Sequence, residues 1–315
     1  LLGIPLQSRL SVHGIVAHPT SGPLSQPTIQ RGQLLRPWPQ FTTLFGEGEN
    51  VGHSSYHGFQ AQFKQRFSAA LFTFAYTFSK SIGDTETRSD FQELGGSSVG
   101  SDGFEDIYNR RLNRAISIQD TPHRVVAGLT LELPLGSGKR FLSSPGVMNR
   151  VVSGWEINGI YSAQVGNPLP LYNVNNLTGN YTAVTDVYGT FNSNSFPNNN
   201  GQNPKINAPP ESRLNQWFNT SDFSQPPPFT YGTNSRTITT VRNHSINNLD
   251  FGLFKNNRFG SEGRFNLQLR GEFFNAANHV RFGYPGLAFG NATFGVISSR
   301  VNNPRQIQVA MKLLF

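Results

Sequence analysis

The chain has 315 residues, 36% of them apolar, and a mean hydropathy of −0.38. No apolar run approaches the roughly 18–20 residues that a membrane helix requires; this excludes a helical span but not a barrel, whose alternating strands escape hydropathy averaging. The net charge of +8 is scattered over a chain only 14% charged, without a lysine block or basic stripe, so nucleic acid is not an expected partner.

Residues 1–55 read as an irregular region punctuated by Pro5, Pro19, Pro23, Pro27, Pro37 and Pro39, with Leu34 to Phe45 able to supply one short strand. The opening Leu1-Leu2-Gly3-Ile4-Pro5-Leu6 has no basic n-region, apolar h-region or cleavage site. Either a signal has been removed or residue 1 is not the natural start. From Tyr56 the pattern sharpens, and residues 56–315 read as one domain. In 56–67, Phe59, Ala61, Phe63 and Phe67 alternate with Gln60, Gln62, Lys64 and Arg66. In 71–80, Phe72, Phe74, Tyr76 and Phe78 alternate with Thr73, Ala75, Thr77 and Ser79. Side chains alternate across a strand with period two, so these two runs and their short link predict a β-hairpin.

A polar stretch, 81–121, separates the hairpin from a strand at 122–133, where Val125, Ala127, Leu129 and Leu131 share a face. A moderate connection, 134–152, leads to 153–165, with Trp155, Ile157, Tyr161 and Ala163 on one side. The longest irregular stretch, 166–246, is dense in Asn, Pro, Ser and Thr. Strand 247–257 follows, then a turn through Phe259-Gly260-Ser261-Glu262-Gly263, then strand 264–275. A Gly- and Asn-rich loop, 276–304, precedes the last strand, 305–315, in which Ile307, Val309, Met311, Leu313 and Phe315 make a continuous apolar face.

The connections run short, long, moderate, very long, short, long. That is the pattern of an outer-membrane barrel, with short periplasmic turns and long external loops, whereas a compact soluble domain rarely needs so long a structureless loop. With Phe315 ending in the periplasm, each long loop lands outside. The faces agree. Lys64, Arg66, Arg124, Arg270 and Lys312 share the proposed interior with Glu132, Glu156, Asp250 and Glu272. The opposite face is nearly free of charge, and Lys255 lies near a strand end, within reach of the interface. A charge at mid-bilayer depth on a barrel's lipid face costs about 2–4 kcal/mol, so this segregation has a physical cause. The fold class read from the residues is all-β: a transmembrane antiparallel up-and-down β-barrel segment of about seven strands with long extracellular loops.

Several stretches carry a resemblance. They include Gln33-Leu34-Leu35-Arg36-Pro37-Trp38-Pro39-Gln40-Phe41, Ser55-Tyr56-His57-Gly58-Phe59-Gln60 and Tyr76-Thr77-Phe78-Ser79-Lys80-Ser81-Ile82. Pro122-His123-Arg124, Leu133-Pro134-Leu135-Gly136 and Gly154-Trp155-Glu156-Ile157-Asn158-Gly159 continue the set. Glu272-Phe273-Phe274-Asn275-Ala276-Ala277-Asn278-His279 and Pro304-Arg305-Gln306-Ile307-Gln308 complete it. As a set these resemble the C-terminal barrel portion of TonB-dependent outer-membrane receptors of the Oar-like kind, which carry a carboxypeptidase-regulatory-like N-terminal domain. The resemblance implies a barrel of about 22 strands, an N-terminal plug and a segment that contacts TonB. About seven strands and no plug are legible here, and bacterial barrels have an even strand number, so the expectation is the C-terminal part of a larger barrel. The Ile307, Val309, Met311, Leu313, Phe315 series also resembles the signal read by the barrel-assembly machinery.

Chemistry-bearing motifs are scarce. There is no cysteine, hence no disulfide or thiolate metal site. Gly136-Ser137-Gly138-Lys139-Arg140 lacks the first glycine of a phosphate loop and has Arg140 at the Ser/Thr position, so it reads as a basic turn. His53 and His57 are four apart but not on a helical pattern, and no G-x-S-x-G occurs. The expectation is no enzyme, no catalytic residue and no cofactor, with Ca²⁺ the one candidate ion, in the acidic 81–121 loop (Asp84, Glu86, Asp90, Glu93, Asp102, Glu105, Asp106 and Asp120).

Loop aromatics Trp38, Trp217, Tyr172, Tyr181, Tyr188 and Tyr231 could stack on a ligand or anchor loops to one another. Selectivity would rest on loops 81–121, 166–246 and 276–304. The partners expected are outer-membrane lipid, the assembly machinery, TonB through an N-terminal segment outside this chain, and an unidentified substrate. A small self-contained barrel acting as an adhesin is the alternative, and a soluble secreted β-rich binding domain the third reading.

Overall fold

The computed structural model describes residues 52–84, 109–136, 138–142, 146–175, 177 and 195–315, together with 4–5, 28–29 and 34. The strand expected within Leu34 to Phe45 lies almost wholly outside the described residues.

Seven long strands form one antiparallel sheet: β1 (Ser54–Arg66), β2 (Ala70–Gly83), β3 (His123–Glu132), β4 (Trp155–Gln164), β5 (Ile246–Phe259), β6 (Phe265–Phe274) and β7 (Gln306–Leu314). Each pairs with its neighbours in sequence, an up-and-down meander. Among the described residues the sheet is open: β1 and β7 lie at opposite edges and do not pair with each other. Strands of alternating direction put connections 67–69, 133–154 and 260–264 at one end. Connections 84–122, 165–245 and 275–305 leave and re-enter the sheet at the other.

The register carries the alternation of single strands across the whole sheet. Phe72, Leu129, Gly159, Phe251, Phe273 and Ile307 form one row over six strands. Two residues along the strands, Ala70, Leu131, Ile157, Leu253, Gly271 and Val309 form the next row on the same face. The row between them, Leu71, Thr130, Asn158, Gly252, Glu272 and Gln308, faces the other way. A one-residue slip of any strand would mix the two faces, so the pattern itself fixes the register.

The polar face is knitted by side chains. Asn256 Oδ1 accepts from Asn266 Nδ2 at 3.1 Å and from Gln268 Nε2 at 2.9 Å. Gln268 Oε1 accepts from Arg270 Nε at 2.6 Å, and the Arg270 guanidinium lies 5.2 Å from the centre of the Phe254 ring. The apolar face leaves large side chains such as Phe59, Phe63, Ile307, Val309 and Met311 open to their surroundings. A soluble sheet would bury such a surface; in a bilayer it is the side that lipid covers. Lys255, on this face, carries its ammonium to the Ser153 carbonyl at the short-connection end and lies 6.0 Å from the Trp155 ring. Lys255 is only 7% exposed, so its ammonium is satisfied by that carbonyl inside the structure and does not snorkel out to water as expected.

The short-connection end is tightly turned. Gly260 has φ +84° and starts the β5–β6 turn. At Gly154, with φ +73°, a Cβ would stand 2.3 Å from the Asn256 carbonyl oxygen, so only glycine lets the chain enter β4 there. Lys139 N donates to Gly136 O at 3.0 Å, and Lys139 Nζ reaches Glu132 at 3.2 Å.

The packed core is elsewhere. Among the described residues, none of the seven strands contributes a buried apolar side chain; Ile118, Leu169, Trp217, Phe218, Val241 and Ile297, with the rest of that set, lie in the long connections. The stretches 166–246 and 276–304, expected to be irregular loops, instead hold a folded cap that includes a short strand, Ile238–Arg242, paired with Pro168–Leu169.

Candidate functional site

The cap is built by the described parts of three connections, which bond to one another and to the strand ends beneath. The first, 84–122, returns beside β2: Ala115 and Ile116 pair with Gly83 and Ile82, and Asp120 Oδ1 accepts from Ser81 N at 2.8 Å. The second, 165–245, grips the first through two arginines. Arg236 donates to Asn113 O at 2.9 Å and to Gly83 O at 2.8 Å. Arg242 donates to Asp120 O at 2.9 Å and to Asp120 Oδ2 at 2.6 Å. Thr237 Oγ1 adds a bond to Ile116 O at 2.6 Å.

The second and third connections share a hydrophobic core of Leu169, Leu171, Trp217, Phe218, Ile238 and Ile297, with Phe223 and Val241 completing it. Phe218, Phe223 and Phe294 meet edge to face at 5.2 to 5.8 Å between ring centres, the arrangement that aromatic quadrupoles favour. The backbones are also joined, by Trp217 N to Gly295 O at 2.8 Å and Ile297 N to Leu214 O at 2.7 Å. Each fully buried apolar side chain of this kind stabilises the cap by about 1.5–3 kcal/mol.

The third connection is anchored to the strands by Asn275 and Asn278, whose φ values of 49° and 54° fall in the left-handed region that Asn tolerates. Asn275 Oδ1 accepts from His279 N at 2.9 Å, and its Nδ2 donates to His279 O at 3.0 Å and Asn303 O at 3.1 Å. The Asn275-Ala276-Ala277-Asn278-His279 motif is thus a turn that closes the third connection on itself.

Under the second and third connections, at the outer end of the polar face, lies a cavity of about 600 Å³. Its floor is Ser162, Asn248, Asp250 and Gln306 of the strands, and its walls include His244, His279, Arg281 and Asn303. Asp250 Oδ1 is held by Asn275 N at 2.8 Å. His244 Nδ1 accepts from Phe282 N at 3.2 Å, and its ring lies 4.9 Å from Phe282 and 6.1 Å from Trp217. Burial holds the His244 pKa below its ordinary value; Glu211 opposes that shift, while Arg213 and Arg281 add to it. Burial also lowers the pKa of Arg281 and pushes the Tyr284 phenol up to about 12.

Of the aromatics expected to face a ligand, Trp217 is 2% exposed and belongs to the cap core. Its Nε1 donates to Arg242 O at 2.8 Å and the Arg213 guanidinium covers its ring at 4.2 Å, so it anchors loops and offers no face for stacking. Tyr172 is half-buried and its segment pairs with Ala288 and Phe289. Tyr181, Tyr188 and Trp38 lie outside the described residues.

Asp84 and Asp120 of the acidic loop accept from His53 N and Ser81 N; Glu86, Asp90, Glu93, Asp102, Glu105 and Asp106 lie outside the described residues. Among the described residues no three His, Asp or Glu side chains gather as metal ligands. Ile307, Val309, Met311 and Leu313 stand opposite Phe273, Gly271, Leu269 and Leu267, and with Phe315 they are among the most open apolar residues of the sheet. The cavity residues His244 and Arg281 were not singled out by sequence, because neither sits in a motif; only the fold brings them together.

A meander with one lipid-compatible face, one polar face, short turns at one end and a folded cap at the other defines an outer-membrane β-barrel. The model of the outer membrane beta barrel domain family matches residues 9–308, and the chain belongs to that family. Its place is the outer membrane of a Gram-negative cell. No curated protein and no solved structure matches the chain.

Proposed function

We propose that this chain forms part of the wall and external cap of a receptor barrel that admits a substrate by energy relayed through TonB. The observation that carries the reading is the cap itself: two long connections share a core and roof a polar cavity at the mouth of the charged face. Such a cap suits capture of a solute before passage. The open edges at β1 and β7 favour closure by further strands, because an unpaired edge in a bilayer leaves backbone groups without partners. The reading involves binding and passage, with no covalent chemistry. The apolar row ending at Phe315 would serve the assembly machinery as its recognition strand.

The test is the mass and partner of the native protein in outer-membrane extracts, probed with an antibody against 166–246. The receptor reading expects a band roughly three times 34.8 kDa, since about 22 strands and a plug are needed. It also expects in-cell cross-linking of that band to TonB. A band near 34.8 kDa without TonB would instead favour the adhesin reading, which the compact cap also suits as an interaction surface.

A further inference from the structure

The cavity under the cap holds an unmatched cation. Arg281 lines it, and its Nε is closed off from solvent yet donates to no acceptor among the described residues. Its guanidinium makes no ion pair among the described residues, although its backbone is fixed at both ends, by N to Asn302 Oδ1 at 2.8 Å and by Val301 N to its carbonyl at 2.9 Å. A guanidinium held this way, half out of water and without a counter-ion, is a site prepared for an anion, because its planar fork pairs with two oxygens at once.

The surroundings select which anion. Asp250 and Glu211 also line the cavity, so a dianion would meet two carboxylates against one guanidinium. His244 adds no charge while its Nδ1 accepts from Phe282 N. Those two carboxylates repel a singly charged carboxylate less than a phosphate dianion, so the one guanidinium suits the former better. Asn248, Asn303 and Gln306 also line the cavity, and their side-chain amides make no other hydrogen bond among the described residues, so donors and acceptors remain for neutral polar groups.

We propose that this cavity binds a small polar ligand through a single carboxylate held by Arg281, with the amides of Asn248, Asn303 and Gln306 receiving its uncharged groups. The proposal deepens the receptor reading by naming the class of solute that the cap captures. A sugar acid and a peptide C-terminus both present this chemistry.

The experiment is calorimetry on the full-length protein in detergent. It uses trialanine against trialanine amide, galacturonate against galactose, and inorganic phosphate as a fifth probe. The expected result is that at least one acid binds and its uncharged counterpart binds at least tenfold more weakly, with Arg281→Gln removing the difference. Which acid binds identifies the source. Equal binding of acid and neutral forms, tighter binding of phosphate, or no binding of any probe would overturn the proposal. Should Arg281→Gln disturb the cap, the acid and neutral pairs on the unaltered protein decide alone. Binding in detergent does not depend on TonB, so failure here and failure of the transport reading are separate outcomes.

Discussion

Arg242 and Asp120 meet across two different connections. Arg242 Nη2 lies 2.6 Å from Asp120 Oδ2, and the two side chains are only 18% and 2% exposed. The same Arg242 donates to the Asp120 and Gly166 carbonyls, while Asp120 Oδ1 caps Ser81 N at the end of β2. One pair therefore fastens the second connection to the first, and the first to the barrel.

Replacing Arg242 by Ala leaves the Asp120 carboxylate buried without its counter-ion, a change that costs about 3–5 kcal/mol when a buried pair is broken. The loss should be confined to the cap. Trypsin applied to intact cells is expected to cut the second connection of Arg242→Ala far faster than that of the parent, while the barrel keeps its heat-modifiable gel mobility.

Trp217→Ala removes the largest buried side chain of the cap and should destabilise it by about 3–5 kcal/mol. Tryptophan fluorescence checks this directly, since Trp217 is one of three and the buried indole emits at short wavelength. The variant should lose that blue-shifted component, and cap unfolding should shift to lower urea.

The two faces of the sheet predict opposite tolerance to charge. Leu253 sits mid-strand between Ile157 and Gly271 on the apolar face, while Gln268 lies on the polar face beside Asn256. Leu253→Arg should cost about 2–4 kcal/mol of folding in lipid vesicles, and Gln268→Arg less than half as much. Equilibrium unfolding in urea from vesicles distinguishes them.

His244 makes the cap sensitive to acid. Its pKa is held below the ordinary 6.5, first by burial, so the folded cap favours the neutral ring more than the unfolded chain does. The stabilisation is fully present above pH 6.5 and is lost as pH falls from there through the folded-state value. Protonation at Nδ1 would also remove the acceptor for Phe282 N. Hydrogen exchange at the Phe282 amide should therefore be better protected at pH 7.5 than at pH 5, after correction for intrinsic rates. His244→Phe should abolish that difference.

The strands were legible because their information is local. Phe72, Phe74, Tyr76 and Phe78 declare a face without reference to anything else, and the register joins such faces into rows. Both ends of each of the seven strands agree with the alternation to within about three residues. The cap was not legible, for a physical reason. Leu169, Trp217, Val241 and Ile297 follow no period, because irregular backbone can turn any residue inward. Their partners are far away in sequence: Arg236 bonds to Asn113 and Gly83 across 123 and 153 positions. Trp217 stood out as an aromatic in a polar loop, but its role depended on Arg213 and Arg242, which no local pattern connects to it.

The central claim is that the folded cap stands outside the cell and the short connections inside the envelope. These 315 residues contain no cysteine, so a thiol introduced among them reports its own side of the membrane, with the unaltered protein as the labelling blank. Phe229 in the second connection is 83% exposed, and Met148 in the 133–154 connection is 72% exposed. Intact cells carrying Phe229→Cys or Met148→Cys would be treated with a maleimide too large and charged to cross the outer membrane. Labelling of Phe229→Cys in intact cells, and of Met148→Cys only after the outer membrane is opened, is the predicted result. Labelling of Met148→Cys in intact cells, with Phe229→Cys protected until opening, would contradict it.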